Sequence, residues 1–465
     1  MQRQTKHIAL LVALTFFMEN LDATIIVTAL PTMAQTFNVM PIDLNIGISA
    51  YLLAVATFIP ISGWLADRFG ARTIFMSAVL LFTLASILCG LSTSLETFIF
   101  SRVLQGIGGA MMVPVGRLVV IRKAPKTELV QAIAYITWPG LVAPIIGPAL
   151  GGFIVMHTTW QWIFYINIPL GLAAIYASYR LIENTKNNEI GKFDFIGFLL
   201  LAISCLSIMY AMEQLGKQLD NILPYLLLGL FGLFTFICAV FYMKRVEQPL
   251  LKFDAFKEKT FSVSIIGGSI FRVAMSAIPF LLPLLFQLAF GLSALQAGLL
   301  VLTVFVGNLA MKPFTTQLMR YFGFRKILIV NGVIGALTIA STAVFTPTTP
   351  WGVMILLMFI SGLSRSLQFT CYNSLSFADI LPKDKRYAAT QFSLFFQISL
   401  GVGVALAALI LRTAMYFNGH VAHAELIDFQ ATFIIVAVVS LLSLWDAYRL
   451  AKNAGDSVSG HRPTI

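Results

Sequence analysis

From residue 8 onward the chain is a succession of apolar runs divided by short polar breaks. Each run is about 20 residues long, the length an α-helix needs to cross the hydrocarbon core of a bilayer. Fourteen runs are counted, with approximate limits 8–30, 44–65, 73–92, 97–117, 130–156, 162–181, 195–213, 222–243, 261–289, 294–318, 326–346, 351–375, 387–411 and 428–448. Strands of a membrane barrel would be about 10 residues long and alternate in polarity, so helices are expected throughout. Soluble domains carry about 25% charged residues. Here 58% of 465 residues are hydrophobic and 11% charged, too few polar side chains to cover a water-facing surface. The fold class is therefore an all-α polytopic membrane protein with about 14 transmembrane helices.

The formal charge of +11 would suit a nucleic-acid partner if it were spread over a water-facing surface. It is not. With the N-terminus inside, about 25 of the 31 Lys and Arg fall in inside tails and loops. Lys217 and Arg412 fall outside, and Arg102, Arg272, Lys312 and Arg365 lie within spans. This asymmetry places both termini in the cytoplasm, and no nucleic-acid partner is expected. The first run is too long for a signal-peptide core and reads as a spanning helix. The cysteines, Cys89, Cys205, Cys238 and Cys371, all lie in predicted spans and read as small packing residues, not a disulfide framework.

The chain echoes itself. "GWLADRFGARTI" (63–72 and on to Ile74) and "TQLMRYFGFRKI" (316–327) share Leu65/Leu318, Phe69/Phe322, Gly70/Gly323, Arg72/Arg325 and Ile74/Ile327. Each follows the second span of a block of six, if spans seven and eight are an insertion. The expected organisation is an N-terminal six-helix bundle (1–182), two inserted helices with cytoplasmic loops (183–260), a C-terminal six-helix bundle (261–450) and a polar, mobile tail (451–465).

Three stretches carry the chemistry of a moving membrane protein. In 63–72, Gly63 is expected to permit close helix contact and Gly70 a tight turn, with Asp67, Arg68 and Arg72 beside it. In "RVLQGIGGAMMVPVGR" (102–117) an intramembrane Arg102 precedes a Gly-rich face. In "WPGLVAPIIGPALGG" (138–152), Gly147, Pro148, Gly151 and Gly152 either bend the fifth helix to shape a cavity or simply let helices pack closely. These three motifs resemble those of the major facilitator superfamily, and the third resembles its antiporter motif. "ENLDATIIVTALP" (19–31) and "WQWIFYINIP" (160–169) resemble segments of its 14-helix drug:proton antiporter branch. The resemblance covers essentially the whole chain. It departs in the second repeat, where Arg320 stands in place of the loop's acidic residue.

Glu19 and Asp22 lie three residues apart on one face of the first span, about 16–21 Å deep. Charges at that depth cost about 2.5–3.5 kcal/mol each on insertion scales and usually face a cavity or a partner. A carboxylate there can load and release a proton, or pair with Arg102 or Arg272 to hold helices together. The resemblance matches Asp22 to the first-helix acidic position; Glu19 has no fixed match. Arg102 is expected to pair with a first-span carboxylate. Arg272, a candidate cavity charge, either binds an anionic group or pairs structurally. "HVAH" (420–423) with Glu425 is a weak metal signal in an outside loop, and no metal is expected.

No GxxxxGK[ST] is present, and the glycine clusters lie in apolar helices, so neither ATP nor any other cofactor is expected. The resemblance implies a non-enzymatic, proton-coupled antiporter in a bacterial inner (plasma) membrane. It would export small amphipathic or toxic compounds by alternating access, with one bundle rocking against the other. The partners implied are a small-molecule substrate, protons and the lipid bilayer, and the transport unit is expected to be monomeric. Export of an endogenous metabolite is the alternative. An intramembrane enzyme or receptor is the alternative of another class, but no catalytic constellation or sizeable extramembrane domain supports it.

Overall fold

Leu, Ile, Val, Phe and Ala dominate every run, and with no water to satisfy the backbone each run closes its own hydrogen bonds as a helix. The computed structural model describes residues 3–123, 129–184, 193–217, 222–247, 249–251, 253–380, 385–420 and 423–459. All of its regular elements there are helical. Twelve helices are long and apolar enough to cross a membrane among the described residues. One of the twelve is two span-length helices joined at Gly323, and the apolar helix Leu129–His157, at 29 residues, also has the length to cross. Counted so, there are fourteen crossing segments, the number expected.

The contacts divide the chain into two units: Met1–Ile208 with Leu230–Leu250, and Met209–Gly229 with Leu251–Ile465. The first contains α1 (Arg3–Ile25), α2 (Leu30–Phe37), α3 (Asn45–Phe69), α4 (Ala71–Leu91), α5 (Leu95–Lys123), α6 (Leu129–His157), α7 (Trp162–Tyr165) and α8 (Asn167–Leu181). Helix α9 (Phe195–Lys217) and helix α10 (Leu223–Met243), the expected insertion, are each divided between the units. They meet where Ser204 Oγ donates to the Gly232 carbonyl at 2.8 Å. The second unit contains α11 (Lys259–Leu284), α12 (Ala294–Thr342), α13 (Trp351–Leu375), α14 (Lys385–Asn418), α15 (Leu426–Leu442), α16 (Leu444–Tyr448) and α17 (Asp456–Ser459).

In the first unit α1 packs on α5, α6 and α8, and α4 on α5 and α8. Its core gathers Val12, Tyr51, Phe75, Phe82 and Val115. Pro31 removes a backbone donor and crowds the preceding turn, and there α1 gives way to the 3-10 turn Ile26–Ala29 before α2. Apolar side chains alone do not hold helices together in lipid, because the surroundings are equally apolar; small residues and buried polar contacts do. Exposed Leu80, Leu84, Leu88 and Phe100 accordingly mark lipid-facing surface, as do Leu226, Leu230 and Phe234 on α10. Only 22% of α10's apolar stretch is buried against 78% of that containing α11, so α10 is peripheral and α11 central.

The sequence echo is a structural one. α3 ends at Phe69 and α4 begins at Ala71, leaving Gly70 alone between them at φ 97° and ψ 137°. Gly323 takes φ 67° and ψ 163° at the corresponding point of α12. Only glycine adopts such backbone without strain. Gly63 differs from expectation: a Cβ there would meet nothing within 4 Å among the described residues, so it makes no close helix contact. Part of the C-terminal segment is ordered. Residues Asp456–Ser459 form a helical turn, and a Cβ on Gly455 would lie 2.7 Å from Phe324. Residues 460–465 lie outside the described residues.

Candidate functional site

Asp22 lies near the end of α1, turned into the first unit and 1% exposed. Arg102, about two turns into α5 and wholly buried, reaches it: Nη1 stands 2.6 Å from Asp22 Oδ2. Asp22 Oδ1 accepts from Gln105 Nε2 at 2.8 Å and from Asn167 Nδ2 at 3.2 Å. Those amides also donate to Ser86 Oγ on α4, at 2.9 and 3.2 Å. Arg102 donates further to the Gln105 side-chain oxygen and, through Nε, to the Gly47 carbonyl of α3 at 3.3 Å. Its guanidinium carbon lies 4.3 Å from the Tyr51 ring centre. α5 and α8 thus meet the α1 carboxylate directly, and α3 and α4 join the network through Arg102, Gln105 and Asn167. A buried ion pair needs its remaining donors and lone pairs met; both Asp22 oxygens are, while Arg102 Nη2 has no hydrogen-bond partner among the described residues and its guanidinium rests against the Tyr51 ring.

The expected pairing of Arg102 with a first-span carboxylate is therefore present, and the carboxylate is Asp22. Arg272 lies in the second unit, on α11. Glu19, one turn back on α1, stays outside the network. It is partly exposed, its Oε2 makes no hydrogen bond among the described residues, and both Arg117 of α5 and Asp22 act on it through their charge. Arg117 itself lies 5.6 Å from the Phe16 ring centre. The two carboxylates share a helix but occupy different surroundings.

The glycines of the fifth span serve close approach to α1. A Cβ on Gly147 would fall 2.2 Å from Thr24 Oγ1, and one on Gly151 would fall 2.4 Å from Thr28 Oγ1 and 2.5 Å from the Ile25 carbonyl. Pro148 and Gly152 are buried beside them. The helix runs unbroken past Pro139, Pro144 and Pro148. α6 is thus pressed against the segment of α1 that carries Asp22.

At the other end of α3, Asp67 is half-buried in the last turn and Arg68 is exposed. Arg72 lies 5.7 Å from the Tyr179 ring centre on α8. Asn184, just beyond α8, donates to Thr73 Oγ1 at 3.0 Å, and its carbonyl oxygen would be 2.1 Å from a Cβ on Gly70. The loop motif is therefore clasped by the segment following α8. The "WQWIFYINIP" stretch builds an aromatic cluster at the opposite end of the unit. Trp160 donates to Thr36 Oγ1 at 3.0 Å, and its ring meets Phe37 at 5.6 Å and Phe164 at 6.3 Å.

Sequence reasoning missed Gln105, Asn167, Ser86 and Asn184. The readable signal was an amide one helical turn after an intramembrane Arg, and a lone Asn in an apolar run. At the C-terminal end, His420 serves a cap. Its Nδ1 lies 2.7 Å from Asp428 Oδ2, and Asn418 Nδ2 donates to Asp428 Oδ1 at 2.7 Å. Residues 421–422 lie outside the described residues. Among the described residues no group of three or more His, Cys, Asp or Glu is placed to hold a metal ion.

Known proteins share this architecture. A bacterial homologue of the human lysosomal transporter Spinster superposes with a TM-score of 0.68, covering 100% of this chain and 99% of that one at 14% identity. A mutant of the nucleoside transporter NupG gives 0.67, covering 96% and 99%, also at 14% identity. At that identity the likeness is one of fold. In sequence, the candidate multidrug resistance protein MdtD of Pectobacterium carotovorum subsp. carotovorum is 36% identical over 443 residues, 93% of this chain and 94% of its own length. MdtD of Salmonella dublin is 35% identical over 438 residues, 93% and 92% of the two chains. The family model described as Major Facilitator Superfamily matches residues 12–376 and again 264–463. The chain, a multi-pass helical membrane protein, therefore belongs to the Major Facilitator Superfamily of transporters.

Proposed function

We propose that the chain is a proton-coupled antiporter that exports small amphipathic or toxic compounds by alternating access. It works as a monomer in the inner membrane of a bacterium, with both termini in the cytoplasm. Residues 1–182 and 261–450 act as the two six-helix bundles, 183–260 as an insertion between them and 451–465 as a tail. Relatives named for multidrug resistance over nearly their whole length support the export reading. The single observation that carries the proton coupling is the buried Asp22–Arg102 pair on α1 and α5.

A buried carboxylate can be neutralised by a guanidinium or by a proton. Protonation of Asp22 would release Arg102, and release of the proton would restore the pair. Because α1, α5 and α8 meet at Asp22, and α3 and α4 are tied to its partners, that exchange changes their mutual attraction, which is what an alternating-access cycle requires of a coupling group. Asp22 is assigned as the principal proton carrier, with Glu19 as a modulator or a contact for cationic substrates. Asp67, Arg68 and Arg72, with Gly63 and Gly70, set the balance between conformations. Gly147, Pro148, Gly151 and Gly152 keep α6 against α1.

The test is proton flux in reconstituted vesicles carrying the full chain, read against a panel of cationic, neutral and anionic amphipathic compounds. Compound-dependent proton movement is expected. Flux that responds to no compound would reject antiport.

A further inference from the structure

Among the described residues the crossing helices α11 to α14 of the second unit carry buried or half-buried cations, Arg412 on α14 among them, and no carboxylate; the unit's Asp428 and Asp446 lie on α15 and α16. Arg272 lies on α11, Lys312 on the first half of α12 and Arg365 on α13. The spans Lys259–Ala289, Ala294–Thr342, Trp351–Leu375 and Gln391–Asn418 contain neither Asp nor Glu. In the first unit the buried arginine has Asp22; among the described residues Arg272, Lys312 and Arg365 form no such ion pair.

Arg272 is fully buried, with its guanidinium carbon 5.3 Å from the Phe392 ring centre and 5.4 Å from that of Phe396. It donates through Nη2 to Ser269 Oγ at 3.2 Å, while Nε and Nη1 have no hydrogen-bond partner among the described residues. Arg365 is half-buried, 6.0 Å from the Phe305 ring centre and 5.6 Å from that of Phe369, and its Nε and Nη1 likewise lack partners. Lys312, also half-buried, donates to Thr370 Oγ1 at 3.2 Å. One aromatic row ties these together. Phe369 stands 5.3 Å from Phe271 and 6.0 Å from Phe396, which stands 6.1 Å from Phe392. Thr370 is the next residue after Phe369.

Aromatic faces offset part of the desolvation of a buried cation, but a guanidinium with unused donors in a low-dielectric setting still favours an anion. Phe369, Phe392 and Phe396 are only half-buried and leave ring surface for an apolar body. We infer that Arg365 and Lys312, backed by Arg272 and the Phe369–Phe396–Phe392 row, form a binding site for an amphipathic organic anion: a flat apolar or aromatic body bearing a carboxylate, sulfonate or phosphate. Arg365 and Lys312 touch the anionic head. Arg272, behind the rings, adds field and holds their position. This names a substrate class for the transport reading above and rests on it.

The test compares two ligands of the same ring and opposite charge, 1-naphthoate and 1-naphthylmethylammonium, by equilibrium dialysis against the purified full-length protein and by exchange in proteoliposomes. The expected result is naphthoate binding at least about tenfold tighter than the ammonium. Arg365→Gln and Lys312→Gln should each weaken naphthoate about tenfold, and Arg365→Lys should weaken it less. Equal or tighter binding of the ammonium, or naphthoate binding untouched by Arg365→Gln and Lys312→Gln, would overturn the site. So would displacement of naphthoate by phosphatidylglycerol together with no naphthoate exchange, which would assign the cations to a lipid headgroup. If the ammonium exchanges for protons while naphthoate does not bind, antiport stands and the anion site falls. If naphthoate binds in an Arg365-dependent way but no compound moves protons, the site stands and antiport falls.

Discussion

Asp22 and Arg102 are 80 residues apart in the chain, yet their side chains meet at 2.6 Å with neither exposed. The contact joins α1 to α5 and draws Gln105, Asn167 and Ser86 around it. Every member of the group is a short-range partner of another, so substitutions here are expected to be coupled, not additive.

Asparagine at position 22 keeps the shape of the side chain but cannot cycle a proton. Asp22→Asn should abolish uphill export under an imposed pH gradient while leaving downhill exchange of substrate. Glu19→Gln should have a smaller effect, or one that depends on substrate charge. The measurement is substrate accumulation in vesicles, normalised to protein abundance. If Asp22→Asn pumps normally and Glu19→Gln does not, the roles are exchanged.

Removing the cation alone leaves a buried carboxylate without its counter-charge. Arg102→Ala should destabilise the protein by about 3–5 kcal/mol, the usual cost of orphaning one member of a buried pair. The double variant Asp22→Asn/Arg102→Ala should recover part of that loss. Denaturation in detergent, followed through a full double-mutant cycle, reads the coupling directly. A coupling near zero would mean the pair contributes nothing to the fold.

Two glycines separate close packing from motif membership. Gly151→Val would place its Cβ against the Ile25 carbonyl and Thr28, and should lower both stability and transport, because backbone cannot move aside as a flexible side chain does. Gly63→Ala, with open space around its Cβ, should leave stability unchanged or raised by up to about 1 kcal/mol from helix propensity. Thermal melts of the two variants decide this. Lost transport by a fully stable Gly63→Ala would show that the glycine is needed in another conformation of the cycle.

The loop motif makes a separate prediction. Asp67→Asn should impair transport while membrane insertion and abundance stay normal, since a half-buried side chain at a helix end contributes little to packing. Asn184→Ala should release the Thr73 contacts and lower the melting temperature modestly, the loss of a partly exposed hydrogen bond being worth about 0.5–1.5 kcal/mol. Full transport by Asp67→Asn at normal abundance would exclude its conformational role.

Much of the fold was legible because a membrane leaves one backbone solution, and a 20-residue apolar run announces it. The repeat was legible because Gly70 and Gly323 occupy turns that only glycine fills, so their neighbours stay recognisable. The site was legible in its charges: Asp22 and Arg102 stand out against apolar surroundings. Its neutral members were not. Gln105, Asn167 and Ser86 become partners of Asp22 only once each helix is rotated about its axis, and an all-round apolar helix has no polar face to reveal that rotation. Gly63 shows the converse: a motif position suggested a close contact that the packing does not make.

A link of a single residue has no slack. Where Gly70 joins α3 to α4, and where Gly323 joins the two halves of α12, neither helix can slide lengthwise past its neighbour without unwinding a turn. Each pair is joined end to end at one glycine, so its arms keep their register at the link while the angle between them is free to change. A lengthwise displacement of one arm at the link therefore has to be taken up by the other.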